Sequence, residues 1–215
     1  MELSIITSVY NEKDNVRLVL NELKEFAREY GNAEVIVVDD GSTDSTPKIV
    51  DEFKKFKQFK VVHQFPNQGK GAGVARGIRE SKGRFIALID SDGENPPKEI
   101  RKLLNELKKK NELGAVIGWR VERKSPLARK VYSAFYNFLV TLLFGINCKD
   151  IGGQPRVFKR QAIEGYKIRS KRWVIEVELP HAVKQKEYGV AFVKVEHRPR
   201  HGGEGKVRFK TIFNI

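Results

Sequence analysis

Apolar residues recur along this chain in two alternating rhythms. Leu3 to Val9 is a run of strand length, after which Val16, Val19, Leu20, Leu23, Phe26 and Ala27 repeat at helical spacing between Asn15 and Tyr30. Glu34 to Val38 is a second buried-looking strand, followed by a predicted helix from about Ser45 to Phe56 with Pro47 in its first turn. Val61-Val62 marks a third strand, Gly69 to Ser81 a helix, and Arg84 to Ile89 a fourth strand. This β-α-β-α-β-α-β order predicts an α/β fold with a mainly parallel sheet and helices on both faces.

Beyond Asp92 the pattern loosens without a clear linker. Helices are predicted over 96–110 and 173–187, strands over 115–119 and 190–195, and a Gly- and Arg-rich loop over 197–206. Ser125-Pro126 reads as the N-cap and first position of another helix that Gly145 closes. Its apolar stretch, Val131 to Ile146, is shorter than the roughly 20 residues a bilayer requires, so it is expected to be a buried helix. Met1-Glu2-Leu3 leads directly into a strand, so no signal peptide is expected.

The length of 215 residues suits one domain, 1–215, in which the second half decorates the sheet of the first. A composition of 40% hydrophobic and 32% charged residues is globular rather than disordered. The single cysteine, Cys148, excludes an intramolecular disulfide and a cysteine zinc site, and suggests a reducing compartment. The net charge of +14 is uneven, because residues 1–100 hold 15 Lys+Arg against 17 Asp+Glu, whereas residues 101–215 hold 26 against 10. A near-neutral scaffold is thus joined to a basic surface open to lipid phosphate, anionic membrane or nucleic acid.

The chemistry gathers at strand ends. Phe85 to Ile89 runs into Asp90-Ser91-Asp92 and then Gly93-Glu94-Asn95-Pro96-Pro97. Such residues also make ordinary turns. However, Glu34 to Val38 likewise runs into Asp39-Asp40-Gly41-Ser42-Thr43-Asp44, and ligands of open α/β sheets bind outside the carboxyl ends of the strands. Clustered carboxylates there imply a divalent cation bridging them to a phosphorylated ligand. Gly69-Lys70-Gly71 lacks the spacing of a P-loop, and its glycines are expected to let a helix begin close to a nucleotide. Asp44 is expected to cap the following helix. His63, His181, His197 and His201 show no metal-ligand spacing, and Trp119 and Trp173 are expected as core or cleft-wall aromatics.

Several motifs in order resemble the lipid-linked branch of the inverting nucleotide-sugar glycosyltransferases, family 2, and above all the dolichyl-phosphate mannose and glucose synthases. They are Ser8-Val9-Tyr10-Asn11-Glu12, Val37-Val38-Asp39-Asp40-Gly41-Ser42-Thr43-Asp44, Asn67-Gln68-Gly69-Lys70-Gly71, Asp90 to Pro97, Ser125-Pro126-Leu127-Ala128-Arg129, Asp150-Ile151-Gly152-Gly153 and Gly203-Glu204-Gly205-Lys206. The resemblance implies a single-domain GT-A type fold, with residues 1–95 holding the nucleotide sugar and residues 96–215 the acceptor. It implies nucleotide-sugar contacts from Ser8, Tyr10, Glu12, Val38, Asp39, Asp40, Lys70, Asp90 and Ser91, and Mg²⁺ or Mn²⁺ on Asp90, Asp92 and Glu94. Acceptor phosphate is expected at Arg129, Ser133, Arg198, Arg200 and Lys206, with Asp92, Asp150 and Arg129 as catalytic residues.

The implied reaction moves mannose or glucose from GDP-mannose or UDP-glucose to a polyprenyl or dolichyl phosphate. A glycan or protein hydroxyl is the alternative acceptor, for which Asp150 is the candidate base. Glu94 replaces an expected glutamine, Gly205 an expected serine, and Ser8 a common proline, so the donor sugar stays open. The implied location is the cytoplasmic face of a membrane. The chain would be held there peripherally, by the 126–144 helix and the basic residues around Arg208 and Lys210, or through a membrane segment beyond Ile215. No nucleic-acid partner is expected, since no reader motif accompanies the basic charge and the strand-end acids would repel a phosphate backbone.

Overall fold

The computed structural model describes residues 1–120, 127–200 and 202. Seven strands form one sheet: β1 Leu3–Val9, β2 Ala33–Asp39, β3 Phe59–His63, β4 Phe85–Leu88, β5 Leu113–Trp119, β6 Arg156–Lys159 and β7 Gly189–Lys194. The helices are α1 Val16–Tyr30, α2 Thr46–Asp51, which continues as a short 3₁₀ turn over Glu52–Lys55, α3 Lys70–Glu80, α4 Lys98–Lys109, α5 Leu127–Phe144, α6 Arg160–Ile163 and α7 Ile175–Gln185. Across the sheet the order is β3-β2-β1-β4-β6-β5-β7. The pairs β1 with β2, β1 with β4, β2 with β3 and β5 with β7 are parallel, and β6 runs antiparallel to both β4 and β5.

The period of two along β1 sorts its side chains between two cores. Leu3, Ile5 and Val9 face α1 and α4, joining Val16, Leu20, Leu23, Ile100, Leu103 and Leu107. Ile6 faces the other way, with Val38 and Ile86, toward Val74 of α3 and Ile175, Leu179 and Val183 of α7. Both faces of the parallel strands are therefore covered, which is why those strands read as continuous apolar runs.

Two expectations change. The antiparallel strand β6 and the short α6 were not expected from the pattern, because Arg156 looks like a surface residue in Arg156-Val157-Phe158-Lys159. Its side chain is in fact 1% exposed and donates to the carbonyls of Gly153, Ile151 and Glu176 at 2.9, 2.5 and 2.8 Å. The expected buried helix is also corrected: α5 leaves Phe135, Tyr136, Phe138, Leu142 and Leu143 exposed. Among the described side chains of α5, Val140 and Phe144 pack inward, against Ile146, Ile151 and Val177. Gly145 ends α5 with φ +62° and donates its N–H to the Thr141 carbonyl, as expected for a left-handed cap. The expected cap at Ser125-Pro126 lies outside the described residues.

Candidate active site

Strand β1 has parallel neighbours on both sides, and the chain winds away from it in opposite directions through β2 and β4. This is the topological switch point, where an open α/β sheet leaves a crevice. The Asp40 N–H donates to the Val9 carbonyl at 2.9 Å and the Ile89 N–H to that of Ile6 at 3.1 Å. The two acidic strand ends therefore flank the end of β1. Ser91 donates from Oγ to the Ser8 carbonyl at 3.3 Å, closing the same edge.

Asp39 and Asp40 are both buried. Asp39 accepts the Ser42 N–H at 3.1 Å and faces His63 Nδ1 at 2.8 Å, while His63 Nε2 reaches Asp51 at 2.8 Å. Burial lowers the His63 pKa, but its two carboxylate partners outweigh that and the net shift is upward. Asp40 accepts four hydrogen bonds, from Gln64 Nε2, Asn67 Nδ2 and the N–H groups of Gln68 and Gly69, at 2.5 to 2.9 Å. One carboxylate thus shapes the whole 64–69 loop. Gly41, at φ +72°, lets that loop pass, since a Cβ there would sit 2.7 Å from the Asn67 nitrogen. Asp44 accepts the Thr46 N–H at 2.9 Å, one residue ahead of the actual N-cap, Ser45.

The glycines opening α3 have a use that the sequence did not suggest. A Cβ on Gly69 or Gly71 would collide with the carbonyls of Lys171 and Ser170, and the Gly71 N–H donates to the Lys171 carbonyl at 2.9 Å. They admit the 170–172 loop, which brings Trp173 and Glu176 to the site. Lys70 Nζ lies 2.8 Å from Asp90 Oδ1, 2.9 Å from Glu176 Oε1 and 4.7 Å from the centre of the Trp173 ring. Burial alone would lower the Lys70 pKa, but the two carboxylates raise it to about 12. Asp90 feels the reverse balance, where Lys70, Arg156 and Arg120 overcome burial and hold its pKa down.

A small recess beside them is lined by Ile6, Ser8, Lys70, Asp90, Gln154, Arg156 and Glu176, among others. Behind it, Arg120 grips Asp150 through both guanidinium arms, Nε to Oδ2 at 2.9 Å and Nη2 to Oδ1 at 3.1 Å. Glu176, Arg156 and Arg120 were not singled out from the sequence, where a lone charged residue beside an apolar stretch gives no signal that it turns inward.

Asp92 makes no salt bridge among the described residues. Burial first, and then the negative charge of Asp90, push its pKa up to about 7, and the Glu94 N–H that it accepts at 3.0 Å and the positive charge of Arg200 oppose that shift only in part. Glu94 itself turns toward His197, with Oε2 to Nε2 at 3.7 Å. Asp90, Asp92 and Glu94 therefore do not converge, and among the described residues no three Asp, Glu, His or Cys side chains gather as a metal cage. The donor set fits a hard cation taking two carboxylates from the protein and its other oxygens from a diphosphate and water, the usual habit of Mg²⁺.

A segment from the second half closes over these acids. Val195 N–H donates to the Trp119 carbonyl, Arg198 N–H to the Glu94 carbonyl at 2.8 Å, and Gly202 N–H to Asn15 Oδ1 at 3.0 Å. Arg198 Nη1 reaches Glu22 at 2.9 Å, and Arg200 Nη2 reaches Glu12 Oε2 at 2.5 Å. Of the remaining expected residues, Tyr10 is exposed, Ser8 and Ser133 are half-buried, and the Val38 side chain is fully buried beneath α3. The Arg129 side chain and Lys206 lie outside the described residues.

Known proteins resemble this chain in sequence and in fold. The chain is 28% identical to the dodecaprenyl-phosphate galacturonate synthase of Rhizobium johnstonii, covering 100% of this chain and 64% of that protein. It is 29% identical to the dolichyl-phosphate beta-glucosyltransferase of Dictyostelium discoideum, covering 90% and 65%. The chain thus spans slightly less than two thirds of the length of these relatives. Among solved structures, glucosyl-3-phosphoglycerate synthase from Mycobacterium tuberculosis in complex with Mg²⁺ and uridine diphosphate superposes with a TM-score of 0.73 at 18% identity, over 93% of this chain and 72% of that one. That likeness is one of fold, a mostly parallel sheet of GT-A type. The glycosyl transferase family 2 model matches residues 4–167, and the chain belongs to that family.

Proposed function

We propose that this chain transfers a hexose, mannose or glucose, from GDP-mannose or UDP-glucose to a polyprenyl phosphate, with inversion at the anomeric carbon and with Mg²⁺ or Mn²⁺ at Asp90 and Asp92. The observation that carries the proposal is the meeting of an acidic switch point with an exposed apolar helix. Val140 and Phe144 of α5 pack with Val177 of α7, and the neighbouring residue Glu176 lines the recess with Lys70 and Asp90. A water-soluble acceptor gives no reason for Phe138, Leu142 and Leu143 of the same helix to stand in solvent.

Each part has a chemical task. The Asp90 and Asp92 carboxylates would hold the cation, which when bound neutralises charge developing on the departing nucleoside diphosphate. Tyr10 and Glu12 stand at the end of β1 where a base and ribose would lie. The acceptor phosphate, with a second pKa of about 6, is already ionised near neutral pH, so its oxygen attacks the anomeric carbon without a strong base. One bond forms to that oxygen as the bond to the diphosphate breaks. Asp150, held at both oxygens by Arg120, suits an orienting role better than that of a free base. Arg198 and Arg200, with Arg129, Ser133 and Lys206, are the proposed phosphate contacts.

Among the described residues no helix is long and apolar enough to cross a membrane. The proposed membrane contact is the exposed face of α5, lying in the interface with the basic half around it, on the cytoplasmic side. The test is transfer of label from GDP-mannose or UDP-glucose to a short polyprenyl phosphate, read in the organic phase. Label there with one donor supports the reading. Its absence with both donors, while nucleotide still binds, overturns the acceptor.

A further inference from the structure

Lysines usually keep their ammonium groups in water, and Lys70 does not. Its side chain is 17% exposed and is held on three sides, by Asp90, by Glu176 and by the face of Trp173. The hold is built into the backbone, because Gly69 and Gly71 are the residues that let the 170–172 loop, and with it Trp173 and Glu176, come this close. The ammonium is thus a fixed charge, placed directly on one of the two carboxylates proposed to receive a divalent cation. No further Asp, Glu, His or Cys joins that pair into a group of three among the described residues.

We infer that Lys70 is a positioning residue that makes cation binding depend on the nucleotide: its ammonium neutralises Asp90, so a free divalent ion is held weakly until a diphosphate supplies further negative charge. The inference rests on the proposed cation site at Asp90 and Asp92. A bound diphosphate takes the ammonium's charge in place of Asp90 and frees that carboxylate for the cation, so cation and nucleotide favour each other's binding by one shared factor. The enzyme would then take up its cation with the donor rather than ahead of it, and two bare acids would not capture free metal between turnovers. Glu176 contributes by holding Lys70 in place once Asp90 is shared with the cation.

The experiment is a titration of the full chain with Mn²⁺, free ion being read by electron paramagnetic resonance, with and without UDP or GDP. Without nucleotide, Lys70→Met and Lys70→Gln should each bind Mn²⁺ at least about tenfold tighter than the unsubstituted chain, with the charge-keeping Lys70→Arg staying within about twofold. The tightening produced by the nucleotide should shrink in the two neutral variants by a similar factor. Unchanged Mn²⁺ affinity in both neutral variants, with binding lost in Asp92→Asn, would overturn the role of Lys70 and leave the cation site standing. Equal binding by Asp92→Asn and the unsubstituted chain would remove the cation site, and the inference with it.

Discussion

Arg200 and Glu12, 188 residues apart in the chain, meet at 2.5 Å with both side chains largely shielded from water. One comes from the basic second half and the other from the first loop after β1, so the ion pair fastens the segment that carries Arg198 and Arg200 over the strand-end acids. Asn15 strengthens the closure, donating to Glu12 at 2.9 Å and to the Gly202 carbonyl at 3.0 Å. Removing one partner of such a pair strands the other in a low-dielectric setting.

Glu12→Gln should therefore destabilise the protein by about 1–3 kcal/mol. Urea unfolding measures this. A change below a few tenths of a kcal/mol would show that the 195–202 segment is not held by this contact.

Asp40→Asn should cost about 2–4 kcal/mol, because an amide supplies one acceptor oxygen where the carboxylate supplies two and turns N–H toward N–H. The 64–69 loop should loosen with it. Hydrogen exchange at Gln68 and Gly69 provides the check, with faster exchange at both amides expected and unchanged protection contradicting the assignment.

His63 gives the stability a pH dependence of known sign. Its folded pKa lies above the ordinary histidine value, so the protonated ring is favoured in the folded state. The contribution is fully present below about pH 6.5 and is lost as pH rises through the folded pKa. His63→Ala should cost more stability at pH 6 than at pH 8.5. Equal costs at the two values would mean that Asp39 and Asp51 do not act on the ring as charges.

Phe138→Glu combined with Leu142→Glu should abolish co-sedimentation with anionic liposomes and leave the thermal unfolding temperature nearly unchanged. Both residues are well over half exposed, and they surround nothing in the core. Retained binding would move the membrane contact off α5.

The first ninety residues were legible in the sequence because β1, β2 and β4 are buried on both faces and α1 carries one apolar stripe. The predicted bounds of β1 match the observed ones, and those of α1 differ by one residue at its start. The second half was less legible. Arg156 carries a charge in a core position, satisfied by the carbonyls of Ile151 and Gly153 just before it and of Glu176 in α7, so β6 has no apolar signature. The hydropathy of Val131 to Ile146 shows that the segment avoids water without showing what covers it, and α5 proved to be exposed. The acids at 39–40 and 90–92 were placed together at the switch point as strand-end logic requires, but Glu94 turned away. Two partners of Lys70, Trp173 and Glu176, come from the start of α7 and the turn just before it, about a hundred residues downstream, a proximity that local pattern does not encode.

The most direct test of the account is a crystal of the chain grown with Mn²⁺ and UDP or GDP, with the manganese located by its anomalous scattering. The account predicts a manganese peak at the Asp92 carboxylate, bridging to the diphosphate, with the base lying toward Tyr10 at the end of β1. A peak remote from Asp90 and Asp92, or a nucleotide bound away from the switch point, would contradict it.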